Sequence, residues 1–176
     1  PTFVSGSGNV SVAKNGSSTL AVGNYRNLSV GSNATLTLTA GTYNFADISL
    51  GSGVRVTADT SGGNVVINSA EDFNIGRNCI VKRLGGGEII ISSADDLNVG
   101  RSAAITAQLY AFDDLSVGNS ATVVGILYAH ERLWLGGGVR VHASSLTPTP
   151  EAGTLVMLSL GGVMIARRRR KVRQKA

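Results

Sequence analysis

Six times the chain returns to one ten-residue pattern built around a glycine: residues 27–36, 47–56, 72–81, 96–105, 114–123 and 132–141. The pattern reads polar, apolar, polar, apolar, Gly, two polar residues, small or apolar, polar, apolar. Its glycines are Gly31, Gly51, Gly76, Gly100, Gly118 and Gly136, separated by 20, 25, 24, 18 and 18 residues. Self-similarity at such a period is the mark of a solenoid, in which each repeat buries its apolar face only by stacking on its neighbours. Few other folds tolerate so regular a constraint over so much of a chain.

Aligned on the glycine, four columns are apolar or small. Three before it stand Leu28, Ile48, Phe73, Leu97, Leu115 and Leu133. One before it come Val30, Leu50, Ile75, Val99, Val117 and Leu135. Ala34, Val54, Cys79, Ala103, Ala121 and Val139 follow at plus three, and Leu36, Val56, Val81, Ile105, Val123 and Val141 at plus five. Alternation of this kind describes short strands with one buried face. The parity flips across each glycine, which predicts a corner there, with glycine supplying φ > 0. A third apolar piece precedes each copy, at residues 65–67, 88–91, 108–110 and 126–128. Three strands and three corners make one coil of 18 residues, and the longer periods carry Gly- and Ser-containing insertions at residues 59–64 and 84–87.

The expected fold is therefore all-β: a right-handed parallel β-helix, or solenoid, of about 6–7 coils, occupying residues 1–143 with residues 1–18 as an irregular first coil or cap. A hydrophobic sorting or transmembrane helix is expected after it. Residues 144–152 read as a linker, held extended by Pro148 and Pro150. Residues 153–166 are uncharged and largely apolar, and residues 167–176 are basic. The formal net charge of +5 belongs to that tail. Residues 1–151 carry nine Lys or Arg against eleven Asp or Glu, a balance of −2, so no nucleic-acid surface is expected on the body. A single cysteine, Cys79, excludes an internal disulfide and falls in an inward column. The sequence opens on Pro1 without an apolar leader, so export implies a signal peptide outside it.

Fourteen helical residues span about 21 Å and a bilayer core about 30 Å. The apolar stretch is thus a short span, extended by snorkelling arginines. Arg167, Arg168, Arg169 and Arg170 directly after it belong on the cytoplasmic side, which predicts an N-out, C-in anchor. Thr149-Pro150-Glu151-Ala152-Gly153-Thr154-Leu155, the apolar segment and Arg167 to Arg170 together resemble the C-terminal sorting signal of PEP-CTERM proteins. Pro150 and Glu151 match the first two residues of that family's Pro-Glu-Pro motif, and Ala152 stands where the third is Pro. The resemblance implies recognition by an exosortase, a membrane enzyme that processes near the motif. It also implies a Gram-negative bacterium, insertion in the inner membrane, delivery to the cell surface or extracellular matrix, and frequent association with exopolysaccharide in biofilm. The repeats are also similar to the short β-helices of polymer-forming bacterial surface and cytoskeletal proteins.

Candidate sites are few. Glu71-Asp72, Asp95-Asp96 and Asp113-Asp114 recur at one corner and would stack into an acidic ladder. Asp95, Asp96, Asp113 and Asp114 are weak Ca²⁺ candidates; the competing reading is turn carboxylates bonding nearby backbone N–H groups. Their periodicity argues for architecture over a unique active site, so no enzyme, metal or cofactor is expected, and a polysaccharide-acting enzyme ranks last among the alternatives. His130 and His142 are isolated surface residues. Tyr110, Tyr128 and Trp134 fall in outward columns and are the candidates for stacking on sugar rings. The leading expectation is an exported, surface-sorted structural or adhesive protein. The alternative is a scaffold that homopolymerises through its open coil ends.

Overall fold

The computed structural model of the chain describes residues 6–143. Twenty short strands wind through that region in three parallel sheets, and every ladder neighbour lies three strands away in sequence. The body is an all-β parallel solenoid of about seven turns, with no helix among the described residues. The C-terminal helix, linker and basic tail expected from the sequence lie outside the described residues.

The first sheet holds β1 (Val10–Val12), β4 (Asn27–Val30), β7 (Asp47–Leu50), β10 (Phe73–Ile75), β13 (Leu97–Val99), β16 (Asp114–Val117) and β19 (Arg132–Leu135). The second holds β2 (Ser17–Leu20), β5 (Thr35–Thr39), β8 (Arg55–Asp59), β11 (Ile80–Leu84), β14 (Ala104–Thr106), β17 (Thr122–Val124) and β20 (Arg140–His142). The third holds β3 (Gly23–Asn24), β6 (Gly41–Phe45), β9 (Val65–Ser69), β12 (Ile89–Ser93), β15 (Gln108–Ala111) and β18 (Leu127–Ala129). Val10 pairs Leu28 and Ser17 pairs Thr35, so regular stacking already begins inside the stretch expected to be an irregular cap.

The inward columns face in as the alternation requires. Leu28, Ile48, Phe73, Leu97 and Leu115 are all buried, as are Val30, Leu50, Ile75, Val99 and Val117. In-register pairing places each on its homologue in the next turn, for example Phe73 on Ile48 and Leu97. Cys79 is buried in its column, its Sγ 3.1 Å from the Gly51 carbonyl oxygen, and burial raises its thiol pKa. Only the last turn breaks the pattern: Leu133, Leu135 and Val141 are exposed because no further strand covers them among the described residues.

The corner after the first sheet corrects the expectation about glycine. None of the six repeat glycines has positive φ. The left-handed residue stands two positions later, at Asn33, Gly53, Asn78, Ser102, Ser120 and Gly138, with φ between 56° and 72°. A turn closes around it, the Ala121 N–H donating to the Gly118 carbonyl at 3.3 Å. The repeat glycine is needed for room instead. Its N–H donates to the carbonyl of the preceding turn at 2.7–2.8 Å, as Gly100 does to Ile75 and Gly118 to Val99. A Cβ on Gly100 would sit 2.5 Å from the Arg77 nitrogen, and one on Gly118 2.6 Å from the Arg101 nitrogen. Glycine here allows backbone to lie directly on backbone.

Two substitutions separate these roles. Gly118→Ala should destabilise the solenoid by about 2–3 kcal/mol, since the clash is with main chain that cannot rotate away. Ser120→Gly relieves a left-handed serine and should stabilise by roughly 0.5–1 kcal/mol. Urea denaturation followed by circular dichroism measures both; a neutral Gly118→Ala would show that the repeat glycine has no packing role.

Candidate functional site

Each corner between the third and first sheets carries two polar positions, and stacking turns them into two columns. One runs Glu71, Asp95, Asp113 and Glu131; the other Asp47, Asp72, Asp96, Asp114 and Arg132. The carboxylate oxygens of Asp95, Asp96 and Asp113 come within 4.8 Å of one another, and so do those of Asp113, Asp114 and Glu131. The structure thus brings together all four acidic residues singled out by the sequence.

The ladder is a store of like charge. Desolvation raises the pKa of Asp95 above the ordinary carboxylate range, and Asp72, Asp96 and Asp113 add to the effect. Asp47 is raised in the same way, by burial and then by Asp72 and Glu71. Two local contacts offset the repulsion. The Asp114 N–H donates to Asp96 Oδ1 at 3.3 Å, which is the turn-bonding role of an aspartate, here reaching across one rung. Arg132 closes the column, its Nε donating to Asp114 Oδ1 at 3.0 Å and its Nη2 to Oδ2 at 2.5 Å. That partner holds the Arg132 pKa up. A carboxylate pair in a unique pocket, as hydrolysis of a glycosidic bond would use, is not what this arrangement resembles; the acids run along an open edge.

Behind the acids the corner is fixed by buried serines that the sequence reading passed over. Ser69 Oγ donates toward the Ala46 and Asp72 carbonyls at 2.9 and 2.8 Å, and Ser93 Oγ toward those of Glu71 and Asp96 at 2.6 and 2.9 Å. The Ala46, Asp72 and Asp96 carbonyls also accept backbone N–H groups of the neighbouring turn, from Glu71, Ile48 and Phe73 at 2.7, 3.1 and 2.9 Å, so each hydroxyl adds a second bond at the corner.

Of the three aromatic candidates, two come together. Tyr110 and Tyr128 are in-register partners on the outer face of the third sheet, with ring centroids 6.2 Å apart and planes tilted by 43°. With Ile90, Ser92 and Phe112 they line an open groove of about 290 Å³ that carries no charged side chain. Tyr110 Oη donates to Gln108 Oε1 at 2.8 Å, at the groove's edge. Trp134 lies on the first sheet, paired with Ser116, and is not part of this groove. The separation was readable in the numbers: Tyr110 and Tyr128 are one 18-residue coil apart, and Trp134 is not. Further along the same outer column the residues are Asn24, Asn44 and Asn68, which bond one another through amide contacts of 2.7 and 2.8 Å.

His142 continues the outward column of Thr106 and Val124, and His130 sits at the acidic corner. The sorting residues Pro150, Glu151 and Ala152 and the arginines Arg167, Arg168, Arg169 and Arg170 lie outside the described residues. Among the described residues no helix is long and apolar enough to cross a membrane.

A family model described as "Domain of unknown function (DUF7305)" matches residues 4–159. No curated protein and no solved structure matches the chain.

The raised carboxylates give a pH dependence with a definite sign. A folded-state pKa above the unfolded value means that folding takes up protons in the window between the two. Stability should therefore rise as pH falls from 7.5 toward about 4.5, just above the ordinary Asp pKa of about 3.9. Asp59, whose carboxylate is stabilised by Ser61 and lowered, acts in the opposite sense only below that window. Asp95→Asn should flatten the rise, and added salt should raise the melting temperature of the parent more than that of the variant. Thermal melts across pH and ionic strength decide it; a parent protein losing stability over the whole interval would contradict the repulsive ladder.

Proposed function

We propose, for a chain that belongs to the DUF7305 family, a structural and adhesive role at the cell surface or in the extracellular matrix of a Gram-negative bacterium. The body supplies a stiff spacer and the tail supplies the address. Six rung spacings of about 4.8 Å make the described solenoid about 29 Å long. The observation that carries this reading is the sequence after the last turn: a Pro-Glu pair, an uncharged apolar stretch and four consecutive arginines. On this reading Pro150, Glu151 and Ala152 mark processing by an exosortase-like enzyme. Residues 155–166 enter the inner membrane as a helix, and Arg167 to Arg170 hold the C-terminus inside.

Support from the body is indirect. Its polar residues repeat along the stack, as in the Asn24, Asn44 and Asn68 ladder, in the manner of a surface built for length. The adhesive contact is assigned to the groove at Tyr110 and Tyr128, whose uncharged lining suits a neutral exopolysaccharide. Successive rungs there offer successive rings to a polymer lying along the stack.

Expressed behind an export signal in a host with an exosortase, the chain should be recovered from the surface fraction with a C-terminus cut near residues 150–152, read by mass spectrometry. Replacing Arg167 to Arg170 by Ala should lose that surface pool. Uncut chain in the soluble cytoplasmic fraction would refute the assignment. For the groove, Tyr110→Ala and Tyr128→Ala should each weaken retardation in native gels containing neutral polysaccharide by about two- to tenfold, the worth of one aromatic contact. Unchanged mobility of the parent in every such gel would remove the adhesive contact from that groove.

A further inference from the structure

Thr60, Asn68, Ser69, Ser92 and Ser93 are the buried polar residues among those described. Four of them have side-chain partners. Thr60 Oγ1 donates to the Leu84 carbonyl, and Ser69 and Ser93 each reach two main-chain carbonyls. Asn68 Nδ2 donates to Asn44 Oδ1 at 2.8 Å. Ser92 differs. It is only 7% exposed, and its Oγ has no hydrogen-bond partner among the described residues. A hydroxyl taken out of water and left unpaired is a cost that folded proteins rarely retain without a reason.

Its position supplies one. Ser92 lines the groove with Ile90, Tyr110, Phe112 and Tyr128, and it pairs in register with Tyr110 on one side and Asn68 on the other. The hydroxyl of Tyr110 is already engaged with Gln108 Oε1. From the other side comes the amide ladder, and it has a direction. Asn44 Nδ2 donates to Asn24 Oδ1 and Asn68 Nδ2 to Asn44 Oδ1, so the row ends on Asn68 Oδ1 with no donor to it. Asn68 is itself only 9% exposed. An open acceptor and an open hydroxyl thus stand on adjacent rungs, about 4.8 Å apart. One ligand hydroxyl lying between them spans that gap with two ordinary bonds of about 2.8 Å.

The ligand's chemistry follows from the lining. No charged side chain is present to hold an ion. A wholly apolar ligand would leave both polar groups unpaired. A sugar ring has an apolar face to lie on Tyr110 and a rim of hydroxyls, each able to donate and accept at once. The groove, about 290 Å³, is at the lower end of small-ligand sites, and so takes a short stretch of chain and not a folded partner.

We infer that Ser92 and Asn68 form a hydroxyl-reading floor for the tyrosine groove. Ser92 Oγ donates to a hydroxyl of a neutral polysaccharide, that hydroxyl donates to Asn68 Oδ1, and Tyr110 stacks on the ring that bears it. This rests on the groove reading above and goes beyond it. Stacking alone accepts any ring, whereas the Ser92 and Asn68 pair selects a ring by its free hydroxyl.

The full chain, kept in mild detergent, is run in native gels containing dextran, galactomannan or hydroxyethylcellulose. Ser92→Ala should weaken retardation by about three- to tenfold, the worth of one hydrogen bond. The same change removes an unpaired buried hydroxyl, so the free variant should melt at or above the parent temperature. Ser93→Ala, which loses two bonds, should melt lower. A second measurement needs no variant. Exhaustive O-methylation of the retarding polymer keeps its rings and removes its hydroxyl donors, and the parent should then lose most of its retardation. Equal retardation of the parent and Ser92→Ala, or by the native and methylated polymers, overturns the hydroxyl floor. Weakened binding by Tyr110→Ala in that same case leaves the groove reading standing. A parent that none of the three polymers retards overturns both.

Discussion

In-register stacking is the condition that everything else in this molecule answers to. Each residue of a turn sits on its homologue in the turn before, as Phe73 sits between Ile48 and Leu97. Whatever a column contains is therefore repeated against itself. Aliphatic columns gain, because like packs on like without polar groups to satisfy. Amide columns gain too: Asn98 donates to Asn74 at 3.2 Å, and Asn44 and Asn68 continue a second ladder on another sheet. Carboxylate columns lose, and the raised pKa of Asp95 and Asp47 expresses that loss. The same geometry thus builds the core and creates the one acidic edge.

Register also explains how the longer coils are accommodated. The two insertions follow β8 and β11 in successive turns, at the same corner, and stack on one another. Thr60 donates through both its N–H and its hydroxyl to the Leu84 carbonyl, at 2.6 and 3.1 Å, and the Glu88 N–H donates to Asn64 Oδ1 at 2.9 Å. Arg83 pairs with Glu88 over the second insertion. A lone insertion would leave its backbone groups against a shorter neighbour. Two in sequence satisfy each other, so the strands beyond them, β9 and β12, still pair from Val65 against Ile89 to Ser69 against Ser93.

Much of this was legible because a repeat is a measurement made several times over. One Leu before a glycine means little; Leu28, Ile48, Phe73, Leu97 and Leu115 at one offset fix an inward column. The corner was misread for a chemical reason. Glycine satisfies two different demands, space and left-handed φ, and its name does not say which. Here space fixes Gly100 and Gly118, while handedness falls on Asn78, Ser102 and Ser120, residues that look like ordinary polar surface. The acidic ladder was legible from spacing alone. Its closure by Arg132 was not, because the repeat substitutes a cation at one copy and only the pairing to Asp114 gives that change a meaning. Phe112 entered the tyrosine groove unseen for a similar reason: it lies off the repeat's alternating positions.

A solenoid has no natural end, so each end must be handled by something other than the repeat. At the first turn Val12 and Leu20 are buried and Val10 is half-buried. At the last, Leu133, Leu135 and Val141 are exposed with no further strand on them among the described residues, and there the repeat changes character, from Ser116 to Trp134 and from Asp114 to Arg132 at in-register positions. Those changes occur in the turn from which the chain runs on toward its apolar stretch. Glu71, Asp72, Asp95, Asp96, Asp113 and Asp114 run along one corner through three turns, which sets like charge against like at close range. The last turn continues one acidic column with Glu131 and closes the other with Arg132, which pairs with Asp114, so the charge there is mixed.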